Sequence, residues 1–222
     1  MFPPPADLIA RIRALPQQGH RRLVAIAGAP ASGKSTLAAS LTIALQDAGE
    51  AVENVPMDGF HLDNRLLDAM GLRDRKGAPE TFDAQGVLAL VHRLRDEDDV
   101  YYPLFDRAQD QAIAGAGVVR AACDLVILEG NYLLFDMPPW NALASLWDLS
   151  IWIDTPEEVV RARCIQRWLD HGHAREAAVA RAEGNDLRNA RQIAGARLPA
   201  DVILAEPAVA DPPAPTPPFA ST

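Results

Sequence analysis

From Leu23 to Thr36 the chain reads Leu-Val-Ala-Ile-Ala-Gly-Ala-Pro-Ala-Ser-Gly-Lys-Ser-Thr. Within it, Gly28, Ala29, Pro30, Ala31, Ser32, Gly33, Lys34 and Ser35 match G-x-x-x-x-G-K-[S/T], and each fixed position has a chemical reason. A loop that curls around a phosphate must turn its backbone N–H groups inward, and glycine removes the Cβ that would obstruct the approach. Lys34 brings positive charge to the β and γ phosphates, and the Ser35 hydroxyl can ligate Mg²⁺. With Thr36 the chain passes into a helix whose positive N-terminal end adds to the field. These residues predict a site for Mg²⁺ and ATP.

Two carboxylates stand where such a site needs them. Residues 124–128 form an apolar run that ends in Glu129, the position of an acid that organises Mg²⁺ and its waters. A strand-end carboxylate can also cap a neighbouring helix. Asp58 follows a second apolar run, residues 51–57, within Met-Asp-Gly-Phe-His. There it can accept the proton of an attacking hydroxyl, or orient that hydroxyl and hold metal water. An Asp-Gly turn that merely closes the strand is the other reading. His61 is a candidate substrate contact or a structural loop histidine.

The elements that must carry these groups are legible from periodicity. Residues 23–27 are a short continuous apolar run ending in glycine, as in a buried parallel strand. Residues 35–48 follow with Leu37, Leu41 and Leu45 at helical spacing and Gly49 as a stop. Further strands are expected over residues 51–57, 124–128, 149–154 and 200–204, with helices over 6–15, 83–95 and 156–169. Alternating strands and helices predict an α/β chain of three layers: a parallel sheet of about five strands with helices on both faces, the P-loop NTPase fold. Ligands in such sheets bind at the carboxyl ends of the strands. Residues 1–205 are expected to form a single domain, the loop-rich stretch 58–79 to rise above the sheet, and the Pro- and Ala-rich residues 206–222 to be a disordered tail.

The proline-containing P-loop, the Asp-Gly-Phe-His after the second strand and the Leu-Glu-Gly of the third resemble the uridine kinase, phosphoribulokinase and bacterial pantothenate kinase family over about residues 20–205. The likeness is nearest to its nucleoside-kinase-like and fructose-transport-kinase-like members. It implies that Asp58 acts as base or hydroxyl ligand, that Glu129 serves the metal, and that a helical lid over about residues 156–195 closes arginines over the phosphates. Here that lid carries Arg161, Arg163 and Arg167, the last two sharing a face; a solvated helix surface is the plainer reading. Tyr101-Tyr102-Pro103-Leu104-Phe105-Asp106-Arg107 resembles the family's aromatic substrate-side segment, with Tyr102, Asp106 and Arg107 as substrate contacts, or else a strand with core aromatics. Arg65, Arg73, Arg75 and Lys76 form a basic stretch that fits an anionic substrate or a solvated loop. Asn185 and Asn189 lie in a polar helical stretch and receive no role.

Composition narrows the remaining classes. A net charge of -9 over 222 residues argues against binding nucleic acid or an anionic membrane surface. Cys123 and Cys164 are too few for a disulfide framework and lack zinc spacing. The absence of a long apolar run points to a cytoplasmic protein with a small-molecule partner, and a homodimer is left open. No Asn-Lys-x-Asp segment for reading guanine is present. Two functions from different classes follow: a kinase that phosphorylates a hydroxyl of a nucleoside, a pantothenate-like compound or a sugar, and a regulatory NTPase that binds ATP without any such acceptor.

Overall fold

The computed structural model describes residues 4–205; the stretch 206–222, expected to be disordered, lies outside the described residues. The strands are β1 (Arg22–Gly28), β2 (Val52–Pro56), β3 (Val100–Asp106), β4 (Gln111–Val119), β5 (Leu125–Gly130), β6 (Leu149–Asp154) and β7 (Val202–Ala205). Five of them form one parallel sheet in the order β2-β5-β1-β6-β7. β1 is buried along its whole length because it lies in the middle of this sheet and is covered on both faces. Its side chains alternate between two cores. Leu23, Ala25 and Ala27 pack with Val87, Leu90, Val91 and Leu94 of α4 (Ala84–Asp96), while Val24 and Ile26 pack with Leu8 and Ile12 of α1 (Ala6–Arg13) and with Ala38, Leu41 and Leu45 of α2 (Lys34–Asp47). The sheet with helices on both faces is the three-layer arrangement expected from the sequence. No helix among the described residues is long and apolar enough to cross a membrane.

Strand ends differ from the periodicity reading at the places that matter for the site. β2 stops at Pro56, and Met57–Phe60 form a 3₁₀ turn that lifts Asp58 off the sheet. β5 runs on through Gly130, so Glu129 is still held in the ladder, level with Ile26 of β1 and Pro56 of β2. The stretch after Asp58 is not plain loop. It contains α3 (Asn64–Ala69), whose first turn is capped by Asp63, and two short 3₁₀ turns.

β3 and β4 form a separate antiparallel hairpin, which the sequence did not announce because β4 is rich in Ala and Gly, weak strand formers. Pairing runs from Tyr102↔Gly117 to Leu104↔Ile113, so β4 bulges opposite Pro103, which has no N–H to give. The Pro103 carbonyl is approached so closely by Gly59 that any Cβ there would collide with it. This contact seats the hairpin on the turn that carries Asp58. Beyond the sheet, α5 (Glu157–Asp170), α6 (Arg175–Arg181), a π-helical turn (Ala182–Asp186) and α7 (Leu187–Gly195) pack as a group against Ala29.

Candidate active site

The start of the phosphate loop is shaped by contacts that leave no room for a side chain at Gly28. A Cβ on Gly28 would lie 2.7 Å from the Ser32 Oγ and 3.1 Å from the Ile153 carbonyl oxygen. Ala31 has φ +58° and Gly33 φ +90°, so two residues of the loop occupy the left-handed region; backbone of this kind turns N–H groups into an anion-binding concavity. For a non-glycine residue that state is sparsely populated and persists only where the surroundings impose it. Gly33 then starts α2. Ser32 is buried and its Oγ has no hydrogen-bond partner, a deficit that costs about 1–3 kcal/mol and that a phosphate oxygen would remove. The loop therefore fits the phosphates of ATP.

Three charges converge beneath it. Lys34 is only 7% exposed and donates from Nζ to the Ala29 carbonyl at 2.7 Å. Burial pulls its pKa down, opposed by the carboxylates of Glu129 and Asp58. Glu129, equally buried, accepts a hydrogen bond from the Ser35 hydroxyl at 2.9 Å. Burial pushes its carboxyl above the usual range, against the pull of Lys34. Among the described residues no group of three or more His, Cys, Asp or Glu side chains is arranged to hold a metal ion. One hydroxyl and one carboxylate suit Mg²⁺, which takes few protein ligands and keeps water and phosphate oxygens for the rest.

On the acceptor side, Arg107 Nη2 donates to Asp58 Oδ2 at 2.7 Å. The Asp58 carbonyl accepts from His61 Nδ1 at 2.8 Å, which fixes the proton on that nitrogen. Burial between Phe82 and Phe105 lowers the His61 pKa, so the ring stands neutral. Asp58, His61 and Arg107 thus come together as the sequence suggested. Tyr102 and Asp106 do not. Tyr102 points into the core, its ring over Gly117 and its hydroxyl 3.4 Å from the Asn54 carbonyl, because strand alternation turns it away from its neighbours. Asp106 spends both oxygens on the hairpin turn, accepting from the Ala108 and Gln109 amides and from Gln109 Nε2. The basic stretch is also dispersed: Arg65 pairs with Asp63, Arg73 with Asp68 and Lys76 with Asp110. A separate concavity of about 510 Å³, lined in part by Phe82, Met137, Pro139 and Trp140, shares Phe82 with this wall but contains none of the charged groups above.

The helical group brings its arginines to the loop unequally. Arg161 is paired with Glu183. Arg163 Nη1 lies 3.4 Å from the Ala31 carbonyl, directly at the phosphate loop. Arg167 donates to Asp186 at 2.9 Å, and its charge is felt at Lys34, where it helps to lower the pKa.

A P-loop whose serine meets a buried strand-end glutamate, beside a second acid held by arginine, brings together groups that phosphoryl transfer to a hydroxyl can use. The profile of the phosphoribulokinase / uridine kinase family matches residues 23–190. The chain belongs to that family. It is accordingly a phosphotransferase with an alcohol group as acceptor, a small-molecule kinase in the general sense. The Escherichia coli (strain K12) protein YggC is 40% identical over 184 residues, 78% of this chain and 76% of that one. A Schizosaccharomyces pombe protein with the provisional name uridine kinase C227.14 is 34% identical over 208 residues, 89% and 88% of the two chains. Among solved structures, a provisionally named fructose transport system kinase from Silicibacter sp. TM1040 superposes with a TM-score of 0.85 at 56% identity, covering 89% of this chain and 96% of that one.

Several residues of this kinase escaped sequence reasoning. Tyr132, buried just past Glu129, donates its hydroxyl to the Gly77 carbonyl at 2.6 Å and ties the acceptor-side loop to the core. Asp186 and Trp168 meet only in the tertiary structure, through a 2.7 Å hydrogen bond. The i,i+4 spacing of Asn185 and Asn189 was the one local signal for a polar helix face.

Proposed function

We propose that this kinase transfers the γ-phosphoryl group of ATP to a hydroxyl of a nucleoside, a pantothenate-like compound or a sugar, with Asp58 taking the hydroxyl proton. The hydrogen bond from Ser35 to the buried Glu129, with Asp58 and Lys34 in the same electrostatic cluster, carries the reading. The substrate range rests on the names of its relatives, which include pantothenate kinases as well as the uridine and fructose transport kinases.

Residues Gly28 to Thr36 hold the donor phosphates, with Ser32 supplying a hydroxyl and Lys34 a charge. Ser35 and Glu129 would hold Mg²⁺, which would supply positive charge to offset that of the transferring phosphates. Arg107 occupies one oxygen of Asp58 and leaves the other for the acceptor hydroxyl. The acceptor oxygen forms the new bond to phosphorus, the bridging oxygen leaves with ADP, and the proton passes to Asp58. Arg163 and Arg167 balance charge on the transferred group, a contribution made by position rather than by covalent chemistry. His61 stays neutral and orients the Asp58 turn.

The test is ADP release from Mg²⁺-ATP in the presence of nucleosides, pantothenate, ribulose 5-phosphate, fructose and other sugars, with Lys34→Ala as blank. A compound that stimulates release in the parent chain alone supports the reading and names the acceptor. ATP binding that no compound stimulates would replace it with a regulatory NTPase.

A further inference from the structure

Between α6 and α7 lies a π-helical turn, Ala182–Asp186, in which the Leu187 N–H reaches back to the Ala182 carbonyl. Such turns insert one residue into a helix, are rarer than regular α-helix, and recur at functional positions. Here the insertion lies where two consecutive side chains face different parts of the molecule. Asp186 is 6% exposed and divides its carboxylate, one oxygen accepting from Arg167 Nη2 at 2.9 Å and the other from Trp168 Nε1 at 2.7 Å. The Arg167 guanidinium also lies 5.5 Å from the Trp168 ring, so it is held from two sides. Asn185 faces the acceptor-side loop. Its Oδ1 accepts from Arg75 Nη1 at 2.6 Å and its Nδ2 donates to the Lys76 carbonyl at 2.8 Å, while the buried Asn189 accepts from Arg75 Nη2 at 3.1 Å.

The same loop reaches the acceptor site by short steps. Lys76 bonds Asp110 at 2.8 Å in the hairpin turn, and Arg107 of that turn holds Asp58. Hydrogen bonds, joined by the backbone of the hairpin turn between Arg107 and Asp110 and by the Arg75–Lys76 peptide, thus connect Asp58 with the π-turn, and the π-turn with Arg167. Arg75, like Arg65 and Arg73, lies beside an acid of its own segment, with Glu80 3.8 Å from its Nε, but unlike them it also reaches out of that segment. Its two short hydrogen bonds cross to a helix 110 and 114 residues away in sequence.

We propose that the π-turn is the joint between acceptor loop and lid: Asp186 is a positioning residue that fixes Arg167 toward the γ phosphate, and Arg75, clasped by Asn185 and Asn189, holds that joint in place. The proposal rests on the kinase reading above. Arg167 held against the terminal phosphate discriminates ATP from ADP, so the effect is read in nucleotide binding and needs no acceptor.

Equilibrium titration of the full chain with Mg²⁺-ATP and with Mg²⁺-ADP, by calorimetry, tests it. Asp186→Asn keeps the shape but can no longer accept from both Arg167 and Trp168. It is expected to weaken ATP about tenfold, the loss of one charge-assisted hydrogen bond, with ADP within about twofold. In an Arg167→Ala background the same change should cost nothing more. Arg75→Ala should give a smaller ATP-selective loss, about threefold, that vanishes in the Asp186→Asn background. Equal losses for ATP and ADP, or losses that add to that of Arg167→Ala, would overturn the positioning role; an Arg75→Ala effect that persists beside Asp186→Asn would overturn the joint. Should Asp186→Asn not fold, Asp186→Glu, which keeps the charge but shifts it by one methylene, must show the ATP-selective loss or the role is wrong. A parent chain that binds neither nucleotide, or binds no better than Lys34→Ala, refutes the kinase reading; a parent chain that binds ATP, with Asp186→Asn unchanged, refutes only the joint.

Discussion

Gly28→Ala isolates the packing that shapes the phosphate loop. The added Cβ would lie 2.7 Å from the Ser32 Oγ and 3.1 Å from the Ile153 carbonyl. The Ser32 hydroxyl, which no partner holds, must turn aside, and the Ile153 carbonyl cannot yield freely. Ser32 is 3% exposed, and Ile153 is locked in the sheet between Gly28 of β1 and Leu204 of β7. Overpacking of this kind costs about 1–3 kcal/mol, which for a chain of this size lowers Tm by roughly 2–12 °C. The displaced hydroxyl also loses its place in the cradle, and one charge-assisted hydrogen bond to a phosphate is worth about 1.5–3 kcal/mol, or roughly 10- to 150-fold in affinity. Thermal unfolding and ATP titration of the same preparation measure both. Gly33→Ala is the control: no protein atom lies within 4 Å of its added Cβ, so its cost in the free protein is the left-handed backbone alone, about 1 kcal/mol. A Gly28→Ala chain with unchanged Tm and unchanged ATP affinity would refute the account of the loop.

Once an acceptor is in hand, Asp58→Asn should lower kcat by about 10²- to 10⁴-fold while ATP binds within threefold of the parent. Its ion pair is with a 65% exposed arginine, so Tm should move by no more than a few degrees. Tyr102→Phe should leave kcat and KM unchanged, since its hydroxyl makes only a long contact to the Asn54 carbonyl; a rise in KM would return Tyr102 to the substrate side. Glu129 carries a pH signature. Burial raises its folded pKa above the unfolded value of 4.5, so its contribution to stability is complete below that pH and declines as pH rises through the folded pKa. Glu129→Gln lacks this decline, and its Tm relative to the parent should therefore be more favourable at pH 7 than at pH 4. A difference that stays level or shrinks across that range would contradict a buried, up-shifted carboxyl.

The residues legible beforehand share one property, which is that their chemistry is set by near neighbours in the chain. Gly28, Gly33, Lys34 and Ser35 do their work within one strand-loop-helix unit, and Asp58 and Glu129 follow apolar runs that could be seen directly. Tyr102, Asp106 and Arg107 show the limit. All three belong to one segment, yet Arg107 alone reaches Asp58. Pleating sends Tyr102 to the core, and the hairpin turn consumes Asp106. The β4 partner of that segment gave no signal because its Ala-Gly run has neither period nor propensity; it pairs with β3, which is itself seated on Gly59 through the Pro103 carbonyl.

By itself the amino-acid sequence determined the α/β class, the parallel sheet, the phosphate loop and the two strand-end acids, because periodic burial and a short glycine motif are local and strongly constrained. Only the tertiary structure decided which polar side chains face the site. Arg75 with Asn185 and Arg167 with Asp186 are pairings across 110 and 19 residues, and no local pattern specifies them. Such pairs depend on how helices and loops settle over the sheet. One residue of extra helix, as in the π-turn at Ala182–Asp186, changes which side chain meets which partner.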